Sequence, residues 1–250
     1  MSVAACAALV QKGDPDRFLA AMAAPVAARD VLFPLYAFNL EVARAPWVTS
    51  EPMLAEMRLQ WWRDALAELA GNGPARSHEV VDALTFLDPD SAQCLDALIE
   101  ARRWDAYKKP FADEAAFFAY LDATAGHLMW TAARALGAPP ETEPQIRKLA
   151  HAAGLARFLQ AIPALEGSGR IPLVDGRPEA ITTLATRALE EMPRLRPLMR
   201  RFGAPAKGAL TEAAQARPLL ERAAKAPKSV ADGTLALSPV QQRLRLLILP

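Results

Sequence analysis

The chain has 250 residues, 52% of them hydrophobic and 23% charged, with a formal net charge of +1. That content is enough for one sizeable core, while two cysteines without C-x-x-C spacing argue against a disulfide framework. No apolar run approaches the roughly 18 residues needed to cross a bilayer.

Alanine and leucine abound and Val-Ile alternation is scarce, which predicts a single all-α domain over residues 1–250. The first helical stretch is expected over 15–45, broken near Pro25 or Pro34. Asp14 and Asp16 flank its opening proline, where carboxylates cap exposed amides and favour the helix dipole. A second helix is expected over 51–70, with Trp62, Leu66 and Leu69 as its apolar stripe. Asp64 and Glu68 fall beside that stripe, interleaved with Arg63, and read as a solvated face. Asp88 and Asp90 open a helix over 90–107, on which Asp96 and Glu100 form a second such acidic pair. Over 113–136, Phe117, Tyr120, Leu121, Thr124 and Leu128 recur at spacings of three and four and mark a buried stripe. The last long helix is expected over 143–164. Breaks are expected at Gly71-Asn72-Gly73-Pro74, Gly137-Ala138-Pro139-Pro140, Gly167-Ser168-Gly169 and Gly203-Ala204-Pro205.

Charge is uneven along the chain. Residues 1–186 hold 17 basic and 23 acidic side chains, whereas residues 187–250 hold 12 and 5. Such a basic tail suits an anionic lipid or an acidic protein partner. Its ending, Val240 to Leu249, is apolar with an arginine edge and is expected to dock on its own bundle. The basic residues lack an aromatic platform, so no nucleic-acid partner is expected. His78, His127 and His151 have no metal-ligand spacing, and Cys6 and Cys94 suit reduced, buried thiols. The first basic residue is Lys12, so no signal-peptide n-region precedes it. A cytoplasmic protein is expected, with at most peripheral contact at the inner face of a membrane. Glycine-rich phosphate loops and Gly-x-Ser-x-Gly elbows are absent from the sequence.

Several segments resemble squalene and phytoene synthases. Asp16-Arg17-Phe18, Arg29 and Leu35-Tyr36-Ala37-Phe38 are similar to that family's opening helices. Met57-Arg58-Leu59-Gln60-Trp61-Trp62-Arg63-Asp64, Ala101-Arg102-Arg103-Trp104-Asp105-Ala106-Tyr107, Phe118-Ala119-Tyr120 and Ala125-Gly126 are similar to later ones. Gly154-Leu155-Ala156, followed by Gly169-Arg170-Ile171-Pro172-Leu173, resembles the family's late helix and the turn after it. The resemblance is clearest over 14–174. It implies an isoprenoid (terpenoid) synthase-like helical bundle with a central cavity. Its pocket and motif positions would be Arg29, Tyr36, Phe38, Asn39, Arg58, Trp62, Tyr120, Gly126, Gly154, Phe158 and Arg170.

What the family's chemistry needs is missing from the matching positions. Ionising an allylic diphosphate requires a multiply charged leaving group to be stabilised, which family members do with magnesium held by aspartates on two facing helices. Here Tyr-Ala-Phe leads into Asn39-Leu40-Glu41-Val42-Ala43-Arg44, with one acid and a cation about where an aspartate would lie. Between Gly154 and Pro163 there is no acid at all.

Two readings follow. The first is a non-catalytic assembly or scaffold factor, for Arg58-Leu59-Gln60-Trp61-Trp62 resembles the branch that includes an assembly factor of respiratory complex I. Its partner would be a respiratory complex subunit or an assembly intermediate, with an isoprenoid or acyl lipid as ligand and no cofactor or metal. The second is an active head-to-head prenyl-diphosphate transferase in which Glu41, Asp64 or Asp122 takes over magnesium.

Overall fold

The computed structural model describes residues 3–49, 51–71 and 76–249; the turn expected at Asn72-Gly73-Pro74 lies outside them. The described residues form helices and loops, with no strand among them. The long elements are α1 (Val3–Gly13), α2 (Pro15–Ala23), α3 (Arg29–Arg44), α4 (Pro52–Ala70) and α5 (Pro89–Ala101). They continue with α6 (Glu114–Leu121), α7 (His127–Ala135), α8 (Glu143–Gly167) and α9 (Pro178–Glu191). Among the described residues, five further helices close the chain: α10 (Leu195–Met199), α11 (Ala204–Leu210), α12 (Ala216–Lys225), α13 (Lys228–Ala231) and α14 (Pro239–Leu247).

The first expected break falls at Pro25, while α3 runs through Pro34. The hydrogen bond that Pro34 cannot donate would have gone to the first turn of α3, where Asp30 is exposed and its carbonyl can meet water. Asp14 and Asp88 cap α2 and α5, accepting from the Arg17 and Ser91 amides at 3.0 and 2.7 Å. The helix expected to reach 107 ends at Ala101 and tightens into a 3-10 turn over Arg102–Ala106. The stretch expected over 113–136 contains one π-helical turn, Asp122–Gly126, between α6 and α7.

Helix α8 is the spine of the bundle. Ile146, Leu149, Ala152, Leu155, Phe158 and Leu159 are all buried, so most of its circumference lies inside. Against it pack α7, α9, α12 and the π-helical turn. Gly154 makes the last contact possible, because a Cβ there would lie 2.6 Å from the Ala125 Cβ. Gly126 is equally confined: its Cβ would lie 2.6 Å from Asp122 Oδ1.

The acidic pair Asp96/Glu100 is more than a solvated face. Arg63 reaches across from α4, donating Nε and Nη2 to Asp96 at 2.7 and 2.9 Å and Nη1 to Glu100 at 2.7 Å. Glu68 instead holds Arg76. At the far end, α14 rests on Ala20 and Ala214 through Leu246. Among the described residues no helix is long and apolar enough to cross a membrane.

Candidate functional site

A buried ion network joins the two ends of the chain. Arg17 on α2 donates Nε to Glu212 at 2.6 Å and Nη1 to Asp14 at 3.0 Å. Arg157 on α8 reaches Asp14 at 3.3 Å. The Arg17 guanidinium lies 5.5 Å from the centre of the Tyr36 ring, and the Tyr36 hydroxyl is buried without a partner. Burial alone would raise the Asp14 carboxyl, but Arg157 and Arg17 hold it well below the usual carboxylate range. Burial and the Glu212 charge push the Tyr36 phenol far up, so it stays neutral. The cavity bordered by Arg157, Glu212 and Gln215 holds about 10 Å3, no more than one water.

Next to this network lies an aromatic cluster. Trp104 stacks on Phe111 at 4.1 Å, Phe117 meets Phe111 and Phe158 at 5.2 and 5.0 Å, and Tyr120 lies against Phe111 at 5.4 Å. Arg102 donates to the Tyr120 hydroxyl at 2.7 Å and to Asp105 at 3.1 Å, and that hydroxyl donates to Asp105 at 3.0 Å. The expected stripe of Phe117, Tyr120, Leu121, Thr124 and Leu128 is buried throughout. Its aromatic members face other rings.

The carboxylates expected to carry magnesium in an active enzyme stand in three separate surroundings. Glu41 pairs with Arg44 at 3.4 Å on the wall of a surface cleft of about 720 Å3, shared with Val48, Leu54, Met57 and Arg58. Asp64 accepts from Gln60 at 2.7 Å, with Arg76 at 3.7 Å. Asp122 accepts from Arg147 at 3.0 Å and lies 2.8 Å from His151 Nε2. Each acid therefore has its own arginine. Among the described residues, no group of three or more His, Cys, Asp or Glu side chains could hold a metal ion. A magnesium cluster does not fit this donor set.

The other sequence-derived positions serve packing or cap the interior. Arg29 donates to the Met22 carbonyl at 2.7 Å, closing the turn after α2. Phe38 and Trp62 meet edge to face at 5.4 Å, and Asn39 is buried on α3. Trp47 lies under the buried Arg170, whose guanidinium is 5.1 Å from its ring and whose Nε and Nη1 have no partner. Reading the sequence did not single out Asp14, Arg17, Arg157 and Glu212 as one site. Asp14 was legible as a cap and Arg17 sits in a resembling segment, but nothing local marks Glu212, 195 residues further along.

Two of these carboxylates are expected to set the acid limit of the fold. The His151 hydrogen bond, against burial and with help from Arg147, lowers the Asp122 pKa from 3.8 to about 2. Asp14 is depressed as well. A depressed carboxylate contributes stability that is fully present above its unfolded value and is lost as pH falls through its folded one. Thermal unfolding followed by circular dichroism should therefore give a Tm that drops steeply below about pH 4, where unfolded carboxyls begin to protonate. Asp122→Asn should lower the Tm at neutral pH and flatten that acid limb. An unchanged limb would show that these pairs are not what sets it.

Comparison with known proteins adds four findings. The family profile described as "Squalene/phytoene synthase" matches residues 10–237. A Drosophila melanogaster protein, "NADH dehydrogenase (ubiquinone) complex I, assembly factor 6 homolog", is 39% identical over 62 residues, which are 24% of this chain and 19% of that one. The Homo sapiens "NADH dehydrogenase (ubiquinone) complex I, assembly factor 6" is 30% identical over 69 residues, covering 28% and 21%. The matched stretch thus spans about a fifth of each relative. A crystal structure of a dehydrosqualene synthase in complex with ligand superposes with a TM-score of 0.78 at 18% identity, covering 98% of this chain and 94% of that one.

Proposed function

The chain belongs to the squalene/phytoene synthase family, and from that premise we propose that it is a non-catalytic member acting as an assembly or scaffold factor of the respiratory complex I type. One observation carries this reading. Arg17 and Arg157 are matched against Asp14 and Glu212, and Glu41, Asp64 and Asp122 are dispersed, so among the described residues no carboxylate set remains for metal and diphosphate. Without the magnesium that such a set would hold, the charge of a departing diphosphate goes unneutralised by metal.

The rings of Phe111, Phe117, Tyr120 and Phe158 support the reading, since they occupy the face along which a prenyl chain would lie in such a bundle. The names of the fly and human relatives support the complex I connection. On this reading the partner is a respiratory complex subunit or assembly intermediate. The protein needs no magnesium, and an isoprenoid or acyl lipid is a ligand bound outside the ring-filled interior rather than a substrate.

The test is direct. Purified, folded protein is incubated with farnesyl or geranylgeranyl diphosphate and magnesium, and diphosphate release is compared with a no-protein control. No release above the control is expected. Magnesium-dependent turnover lost in Glu41→Gln, Asp64→Asn or Asp122→Asn would overturn the reading and assign a head-to-head prenyltransferase instead.

A further inference from the structure

The arginines of most of the molecule are paired with acids: Arg63 with Asp96 and Glu100, Arg134 with Asp88 and Asp90, Arg147 with Asp122 and Glu143. Arginines without an acid gather in one region. A groove of about 570 Å3 lies between α10, the Thr211–Gln215 turn and the end of α14, ringed by Arg194, Arg196, Arg200, Arg217 and Arg245. No Asp or Glu lines it, and among the described residues none of the five makes an ion pair. Arg196 and Arg217 donate to the Ile248 and Met192 carbonyls, which fixes the guanidiniums without neutralising them. An adjoining recess adds Lys207 beside Arg196 and Arg200.

The surface of α14 beside the groove is apolar. Leu246 anchors α14 to the bundle, while Val240, Leu244, Leu247 and Ile248 point outward, Leu247 with 73% of its surface exposed. Helical spacing puts Val240, Leu244 and Leu247 on one side, so the exposed aliphatics form a ridge. Uncompensated cations beside protruding aliphatics match a surface that is anionic outside and apolar just beneath.

We propose that this face docks on an anionic lipid bilayer, with the guanidiniums on headgroup phosphates and Leu244, Leu247 and Ile248 entering the interfacial layer. Arginine suits this role, since its planar donors match phosphate and it is weakly hydrated. A nucleic acid offers phosphates with no apolar layer beneath them and would leave the ridge in water. The proposal concerns a surface remote from the interior carboxylates and stands whether or not the protein is catalytic.

The experiment is co-sedimentation of the full chain with vesicles of phosphatidylcholine alone or phosphatidylcholine mixed with phosphatidylserine, at low and high salt. Binding is expected to the mixed vesicles only, weakened by salt and not displaced by inorganic phosphate at matching concentration. Arg194→Glu/Arg200→Glu should weaken it about tenfold or more, since each basic residue near an anionic surface contributes to binding. Leu247→Ser/Ile248→Ser should weaken it several-fold while leaving the Tm in place, because both side chains are exposed. Equal binding to neutral vesicles, no binding at low salt, or variants that bind like the parent would overturn the proposal. Capture by polyglutamate without vesicle binding would also overturn it and assign the groove to an acidic protein.

Discussion

Arg17→Met is expected to destabilise the fold by about 3–5 kcal/mol, because it strands a charge inside the bundle. The Glu212 side chain is only 3% exposed, and Arg17 donates to it at 2.6 Å. Methionine keeps much of the length that packs on Tyr36 but leaves Glu212 without its cation, while Asp14 retains Arg157. Removing both charges should behave differently. Arg17→Met/Glu212→Gln leaves no unpaired ion and should regain most of the loss, since a buried pair contributes less than its breakage costs. Urea unfolding reads this as midpoints shifted at constant slope. A double variant no more stable than the single would show that Glu212 finds water or another partner. Arg63→Met is the comparison: its partners are largely solvated, and exposed pairs contribute at most about 1 kcal/mol.

The contrast between those two arginines shows what could be read from the sequence. Helix α4 announces itself through the apolar stripe of Trp62, Leu66 and Leu69, α8 through its long alanine- and leucine-rich run, and Asp14 and Asp88 through the prolines they precede. The Tyr36-Ala37-Phe38 and Trp61-Trp62 segments carried the fold, because Tyr36, Ala37, Phe38 and Trp62 pack in its core. Partnership across the chain is a different matter. Asp96 and Glu100 look solvated along their own helix, and only the crossing of α4 over α5 brings Arg63 to them. Glu212 sits in a short turn after a five-residue and a seven-residue helix, where periodicity is too brief to mark an inward face. The π-helical turn at Asp122–Gly126 was invisible for a similar reason. Its apolar spacing continues that of α6 and α7, and the glycine that lets α8 approach it lies 28 residues beyond Gly126.

The second large effect lies in the aromatic cluster, where Phe117→Ala is expected to cost about 3–5 kcal/mol. Phe117 is 2% exposed, and its ring touches those of Phe111, Phe118 and Phe158. Phe111 is held by its stack on Trp104, and Phe158 belongs to α8, so neither can collapse freely into the space left. The loss should therefore combine lost apolar transfer with the cost of a cavity, rather than transfer alone. Such a cavity would be lined by rings and stay dry, which gives the prediction a second readout. Benzene should raise the Tm of Phe117→Ala more than that of the parent, because a ligand that binds only the folded state stabilises it by mass action. That selective rescue would mean that the Phe117 ring fills space its neighbours do not take up, as the reading of a filled interior requires. A loss below about 1 kcal/mol would instead mean that the neighbours relax into the gap, and the argument from a filled interior to absent catalysis would fall with it.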